Sequence, residues 1–207
     1  MADAATIRQL LNAMADKIIA NKDRLCEIDA NIGDGDHGIG MAQSFTKAKD
    51  KLAARPDPEP AGDLKAFGMG IMGGGGGASG ALFSSLYLEG AKVMAGKDAM
   101  TPADLASWWR AGLEAVKARG KAQPGDKTMV DALEPAVKAM EDNAGAGFPA
   151  QLANALEAAN EGVEATKNMV AGQGRSRYAG ERSLGQQDAG ATSVALLVET
   201  LGEVIKK

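Results

Sequence analysis

The segment Asp29-Ala-Asn-Ile-Gly-Asp-Gly-Asp-His-Gly-Ile-Gly40 separates two amphipathic helical stretches and carries three carboxylates, followed at once by the single histidine of the chain. Asp29, Asp34 and Asp36 are spaced by glycines, and no Lys or Arg lies between Arg24 and Lys47 to offset them. Carboxylates this close repel one another, and burying them unpaired is costly. A hard divalent cation answers that repulsion, because Mg²⁺ takes oxygen ligands and shares them with substrate phosphates. The competing reading is a solvated acidic turn that caps the helix after it.

Outward from this turn the chain reads as helix after helix. Hydrophobic residues make up 45% of its 207 residues but aromatics only 4%. Ala, Leu, Met, Glu and Lys are frequent and β-branched runs are scarce, which favours helix over strand. Apolar residues at helical spacing predict helices over 4–28, 38–53, 62–72 and 80–95, with the proline-rich Arg55–Pro60 as a turn. Thr101-Pro102 opens a fifth helix through Trp108, Trp109 and Val116, which Gly120 and Pro124-Gly125 break. Thr128–Asp131 starts a sixth, with a kink expected at Pro135. A seventh covers 149–171, with Val170 on its apolar stripe, and an eighth begins near Ala191. The expectation is one all-α domain over 1–207, an eight-helix antiparallel up-and-down barrel or bundle.

Composition excludes several functions. The net charge of −4, with both signs scattered, gives no footprint for nucleic acid. One cysteine, Cys26, permits no internal disulfide, suits a reducing compartment, and reads as an inert side chain of the first helix. No apolar run reaches the ~20 residues of a membrane span. No signal-peptide pattern precedes the first helix, so a cytoplasmic protein is expected.

Three segments carry chemistry. The acidic turn is not a calcium-binding EF-hand loop, since neither the register from Asp34 nor that from Asp29 supplies the required glycine and terminal glutamate. The run Gly73–Gly80 contains a nominal dinucleotide fingerprint, but no strand precedes it, and Ala81-Leu82 stands where a Walker loop needs Lys-Ser/Thr. Its consecutive glycines let backbone N–H groups converge on an anion at a helix start, or else let two helices pack closely. The long polar stretch Gly172–Gln187 holds Arg175, Arg177 and Arg182 before another glycine-bearing helix start at Asp188-Ala-Gly190. Guanidinium groups there suit phosphate oxygens, although a single arginine is more often solvated. His37 is open to a phosphate contact, a metal, a phosphoryl group or a purely structural role.

On these residues the sequence resembles the L subunit of the dihydroxyacetone kinases and the nucleotide-binding domain of their single-chain, ATP-using members. The matching segments are Ile32–Gly38, Gly77–Gly80, Arg119–Lys121 with Pro124–Met129, and Gly180–Ser183 continuing through Gln187–Ser193. The resemblance implies an eight-helix barrel whose loops at one end hold ADP or ATP and two Mg²⁺. It makes Asp29, Asp34 and Asp36 the metal ligands. It lines the nucleotide with His37, Gly38, Ile39 and Gly40, with Ala78 and Ser79, with Gly120 and Met129, and with Arg175, Asp188, Ala189 and Gly190. Two departures are Ala189, where the family often has proline, and a longer glycine run before Ala78.

The resemblance also implies the reaction. ADP bound by the L subunit takes a phosphoryl group from a phosphohistidine on the M subunit of a phosphotransferase system. The resulting ATP passes it to dihydroxyacetone on the K subunit. These two subunits are the implied partners, with a homodimer also admitted. A component of an ATP-dependent ketose kinase acting on dihydroxyacetone or erythrulose shares every residue above, and a metal-binding scaffold without catalytic role is the alternative of another class.

Overall fold

The apolar stripes become helices in the computed structural model, which describes residues 1–205. In chain order they are α1 (Ala4–Ala20), α2 (Lys22–Ala30), α3 (His37–Ala53), α4 (Pro60–Gly73), α5 (Gly77–Val93), α6 (Pro102–Gly120), α7 (Val130–Asp142), α8 (Phe148–Ala165) and α9 (Ala189–Val204). Two residue pairs, β1 (Ala2–Asp3) and β2 (Ala99–Met100), form a short antiparallel ladder that ties the start of the chain to the α5–α6 connection. None of the described helices is long and apolar enough to cross a membrane.

The helix order closes on itself. From α1 to α3 and then through α9 each helix packs on the next, and α9 packs back on α1. The short α2 stands apart from this ring of eight, against α3 and α9. Neighbours joined by turns run in opposite directions, so the all-α, eight-helix up-and-down barrel read from the sequence is the fold. One consequence governs the site: α3, α5, α7 and α9 all begin at the same end.

Local chemistry explains where the elements depart from expectation. The predicted 4–28 helix is two helices, because Asn21 folds its side-chain amide back on the Lys17 carbonyl at 2.8 Å and leaves helical geometry at ψ 11°. The predicted 149–171 helix stops at Ala165, where Thr166 donates its hydroxyl to the Val163 carbonyl at 2.6 Å. Val170, expected on the stripe, is 46% exposed. Helix α7 runs on through Pro135. The Asp131 carbonyl, which Pro135 cannot bond, faces Gly162 of α8 so closely that a Cβ there would lie 2.3 Å from it.

Aromatic side chains fill one half of the barrel. Phe45 of α3, Phe67 of α4, Tyr87 of α5 and Trp108 of α6 form a chain of ring contacts with centroids 4.9–6.0 Å apart. The Trp108 indole donates to the Leu86 carbonyl at 2.8 Å. Val130, Leu133, Val137, Val194, Leu197 and Leu201 fill the other half and are fully buried.

At the end remote from the acidic turn, Asp63 is buried and accepts from two arginines. Arg8 bonds it in bidentate fashion at 2.7 and 2.9 Å, and Arg55 adds a third bond at 2.7 Å. The carboxylate thus clasps α1, α4 and the α3–α4 turn. Replacing Asp63 with Ala leaves two guanidinium groups without their anion. The expected loss is about 3 kcal/mol of unfolding free energy, at the low end for a broken buried pair because both arginines reach solvent. Urea denaturation of Asp63→Ala beside the native chain measures it.

Candidate functional site

The shared end of α3, α5, α7 and α9 opens into a cleft of about 990 Å³. A smaller cavity of about 340 Å³ beside α8 and α9 holds none of the residues expected to bind metal or nucleotide. Every one of those residues lines the larger cleft except Gly38. Gly38 instead lets α3 rest on α2, since a Cβ there would sit 2.0 Å from the Lys22 carbonyl oxygen.

Asp29 lies in the last turn of α2, and Asp34 and Asp36 follow in the turn to α3. One carboxylate oxygen of each lies within 4.8 Å of the others. Asp29 also accepts from the backbone N–H of Asp36 at 3.1 Å and of His37 at 3.4 Å, so the capping reading of the turn holds for this one acid. The remaining oxygens are hard donors, and a set of three suits Mg²⁺ better than a softer metal. Arg175 reaches across from the long 166–188 loop and pairs with both Asp34 and Asp36.

His37 is held by two hydroxyls. Its Nδ1 lies 3.3 Å from Ser79 Oγ on α5, and its Nε2 lies 2.9 Å from Ser193 Oγ on α9. Ser193 donates its own proton to the Ala189 carbonyl at 3.0 Å, so the consistent network has Nε2–H donating to Ser193 and Ser79 donating to Nδ1. Burial pulls the imidazole down to about 4, against the opposing pull of Asp29. The ring is neutral, and both of its nitrogens are engaged by hydroxyls. It joins the starts of α3, α5 and α9.

The glycine run divides its labour residue by residue. Gly74 and Gly76 press on α3: a Cβ on Gly74 would lie 2.2 Å from the Ser44 Cα, and the Gly76 N–H donates to Ser44 Oγ at 3.1 Å. Gly75 and Gly77 have φ of 84° and 57° and line the cleft, with open space at Gly77. The helix-packing reading therefore holds for Gly74 and Gly76, while Gly75 and Gly77 face the cleft.

Helix starts at this end differ in how they are capped. Asp29 serves α3. Asp131 accepts from Gly125 and Thr128 N–H at 2.5 and 2.7 Å and organises the loop before α7. Asp188 caps α9 through the Ala191 N–H at 2.7 Å. At α5 no side chain caps the helix. The Gly76 N–H is taken by Ser44, and the N–H groups that follow it at the helix start are left for an anion or for water.

Gly75, Gly77, Arg119 and Lys127, which the sequence placed in motifs without a role of their own, also line the cleft, as does Tyr178, which no motif marked. The glycine run itself signalled the first two. Arg119 lies along α5, donating to the Ala81 carbonyl at 2.8 Å. Lys127 donates to backbone carbonyls and has left-handed φ of 58°, which nothing in its side-chain type announces. Tyr178 stands at the rim, 74% exposed, under the Arg177 guanidinium.

Comparison with known proteins gives the site a context. The family model described as DAK2 domain matches residues 31–203. The chain is 36% identical to the ADP-binding subunit of PEP-dependent dihydroxyacetone kinase from Escherichia coli (strain K12), over 95% of each chain. It is 38% identical to L-erythrulose 1-kinase of Mycolicibacterium smegmatis, over 88% of this chain and 32% of that protein. Among solved structures, dihydroxyacetone kinase from C. freundii in complex with AMP-PNP and Mg²⁺ superposes with a TM-score of 0.75 at 26% identity, over 96% of this chain and 34% of the other.

Burial pushes the Asp188 carboxyl up to about 7, with Asp131 and Asp29 adding to the rise and the Ala191 N–H and Lys127 opposing it. A folded-state value above the unfolded one means that this group stabilises the fold below about pH 4 and loses that contribution as pH rises towards 7. Asp188→Asn keeps the cap and removes the ionisation. In metal-free protein, thermal unfolding of the wild type should therefore weaken relative to Asp188→Asn from pH 5 to pH 8, by about 1–2 kcal/mol after allowing for solvent screening. Parallel unfolding curves across that range would contradict it.

Proposed function

The chain belongs to the DAK2-domain family, and we propose that within it this protein is the nucleotide-binding subunit of a dihydroxyacetone kinase. It binds ADP or ATP with Mg²⁺, two ions in this reading, and relays phosphate from a phosphohistidine-bearing phosphotransferase M subunit to dihydroxyacetone on a K subunit. The observation that carries the reading is the meeting, in one cleft, of three hard carboxylates with an uncapped, glycine-cradled helix start at α5. A cation site and an anion site side by side suit a metal polyphosphate. A metal scaffold needs only the first. The names of relatives matched over nearly their whole length support the same reading.

Each residue then has a task. Asp29, Asp34 and Asp36 hold the metal, which when bound offsets charge on the phosphate oxygens. Gly75, Gly77, Ala78 and Ser79 present the α5 N–H groups to the phosphates. Gly38, Ile39 and Gly40 supply the start of α3, and Ala189 and Gly190, behind the Asp188 cap, that of α9. Gly120 and Met129 border the apolar floor with Val116 and Phe83, where a nucleobase fits. His37, neutral and doubly bonded, keeps these helix starts in register. Arg175 leaves the acids once a dication binds them and turns its guanidinium to the phosphates. A reducing, cytoplasmic setting and contact with two partner subunits complete the proposal.

The ATP-using ketose kinase reading keeps the same residues, and the 38% identity to an erythrulose kinase favours keeping it as the second. Native mass spectrometry separates them: ADP retained through purification supports the relay, whereas rapid turnover with free ATP and a K subunit supports direct use of ATP. Asp34→Asn should abolish Mg²⁺-dependent ADP binding in calorimetry. Unchanged ADP affinity in that variant would remove the acidic turn from the site. Arg175→Ala should weaken ADP by about tenfold, the scale of a lost charge-assisted hydrogen bond, and the same titration reads it.

A further inference from the structure

Lys127 is a buried cation that the proposed chemistry does not use. Its residue is 1% exposed, and its ammonium donates to the Thr166 carbonyl at 2.6 Å and to the Gln186 carbonyl. Those carbonyls belong to opposite stems of the 166–188 loop, one just after α8 and the other just before α9. A lysine in a phosphate cleft would ordinarily be read as a phosphate ligand, yet here two of its three donors hold backbone. Its backbone adopts the left-handed φ of 58°, disfavoured for a side-chain-bearing residue, to bring the ammonium there.

The surrounding bonds show what this contact does. The stems also meet through Gly185 N–H to Lys167 carbonyl at 2.8 Å and Asp188 N–H to Thr166 Oγ1 at 3.0 Å. Beyond them the loop is held by Ala171 N–H to Ser183 Oγ at 2.9 Å and by Gly172 N–H to the Asp126 carbonyl at 3.1 Å. Gly174 and Gly180, both at positive φ, then flank Arg175 and the exposed Tyr178. The loop has a pinned base and a tip that carries the arginine facing the acidic turn. Asp131 and Asp188 are the acids that compensate the Lys127 charge.

We propose that Lys127 is a positioning residue whose ammonium clamps the two stems of the 166–188 loop, fixing the base from which Arg175 reaches the cleft, and that it does not bind phosphate itself. The nucleotide part of this rests on the proposed function, while the clamp itself does not. Lys127→Met, which keeps the length and removes the donors, tests it in the full chain. Without ligand, amide hydrogen exchange over 169–187 should speed up by about tenfold or more, with α5 and α9 protected as in the wild type. Mg·ADP should dissociate faster from the variant, while Mg²⁺ alone binds with unchanged affinity. Lys127→Gln, with one neutral amide in place of the ammonium, should give intermediate loop protection.

Wild-type loop exchange in Lys127→Met overturns the clamp, and if nucleotide is lost at the same time Lys127 is a direct phosphate ligand. Loss of protection throughout the chain in both variants also overturns it, because the lysine then supports the whole fold and not the loop. If wild-type protein fails to bind Mg·ADP, the functional reading falls, and the exchange measurement still decides on the clamp.

Discussion

An up-and-down ring of helices concentrates one kind of partial charge at each of its ends. Here α3, α5, α7 and α9 all start at the cleft, and each start leaves N–H groups without helical partners and a positive dipole end. Asp29 serves α3 and Asp188 caps α9, whereas Asp131 organises the loop before α7 and no side chain caps α5 among the described residues. The carboxylates that gather for this purpose then overshoot: Asp29 caps α3, but Asp34 and Asp36 stand beside it with nothing to cap. The result is a cleft that sets the uncapped start of α5 beside an acidic turn met by Arg175. On the proposed reading, metal and polyphosphate together suit that pair of sites, and neither does so alone.

Holding four like dipole ends together requires close, fixed contacts. Glycine provides the closeness: Gly74 and Gly76 bring the start of α5 onto α3, and Gly38 brings α3 onto α2, each at distances that a Cβ would forbid. His37 provides the fixing, bonded to Ser79 on α5 and Ser193 on α9. An imidazolium at that point would add positive charge where helix ends already supply it and solvent is scarce. Its depressed pKa follows from burial, and the neutral ring can both donate and accept, as a bridge between two hydroxyls must.

Much of this was legible in the sequence because it rests on local pattern. Apolar spacing located the ring helices, and glycines and prolines located the turns between them. The acidic turn announced itself by composition. What was not legible depends on distance along the chain. Gly38 looks like its neighbours Ile39 and Gly40, yet it faces α2, because helical periodicity turns one residue in three or four away from any given surface. The break at Asn21 depends on an amide that can bond either water or the preceding turn. Lys127 sits in a quoted motif, but its partners are carbonyls 39 and 59 residues away, and backbone acceptors leave no mark in sequence.

The basic residues of the cleft sort themselves by what they hold. Arg119 donates to a carbonyl of α5, and Lys127 donates to carbonyls of the long loop. Both are tied to backbone, which can move only if a helix or a loop stem moves. Arg175 is 68% exposed, lies between two glycines at positive φ, and pairs with side-chain carboxylates that a dication would also claim. Phosphoryl transfer asks for charge that is fixed where the phosphates rest and for charge that can follow the moving group. In this cleft the backbone-bound cations keep the walls in place, and on the proposed reading Arg175, tied to side chains, is the one placed to respond when metal and nucleotide arrive.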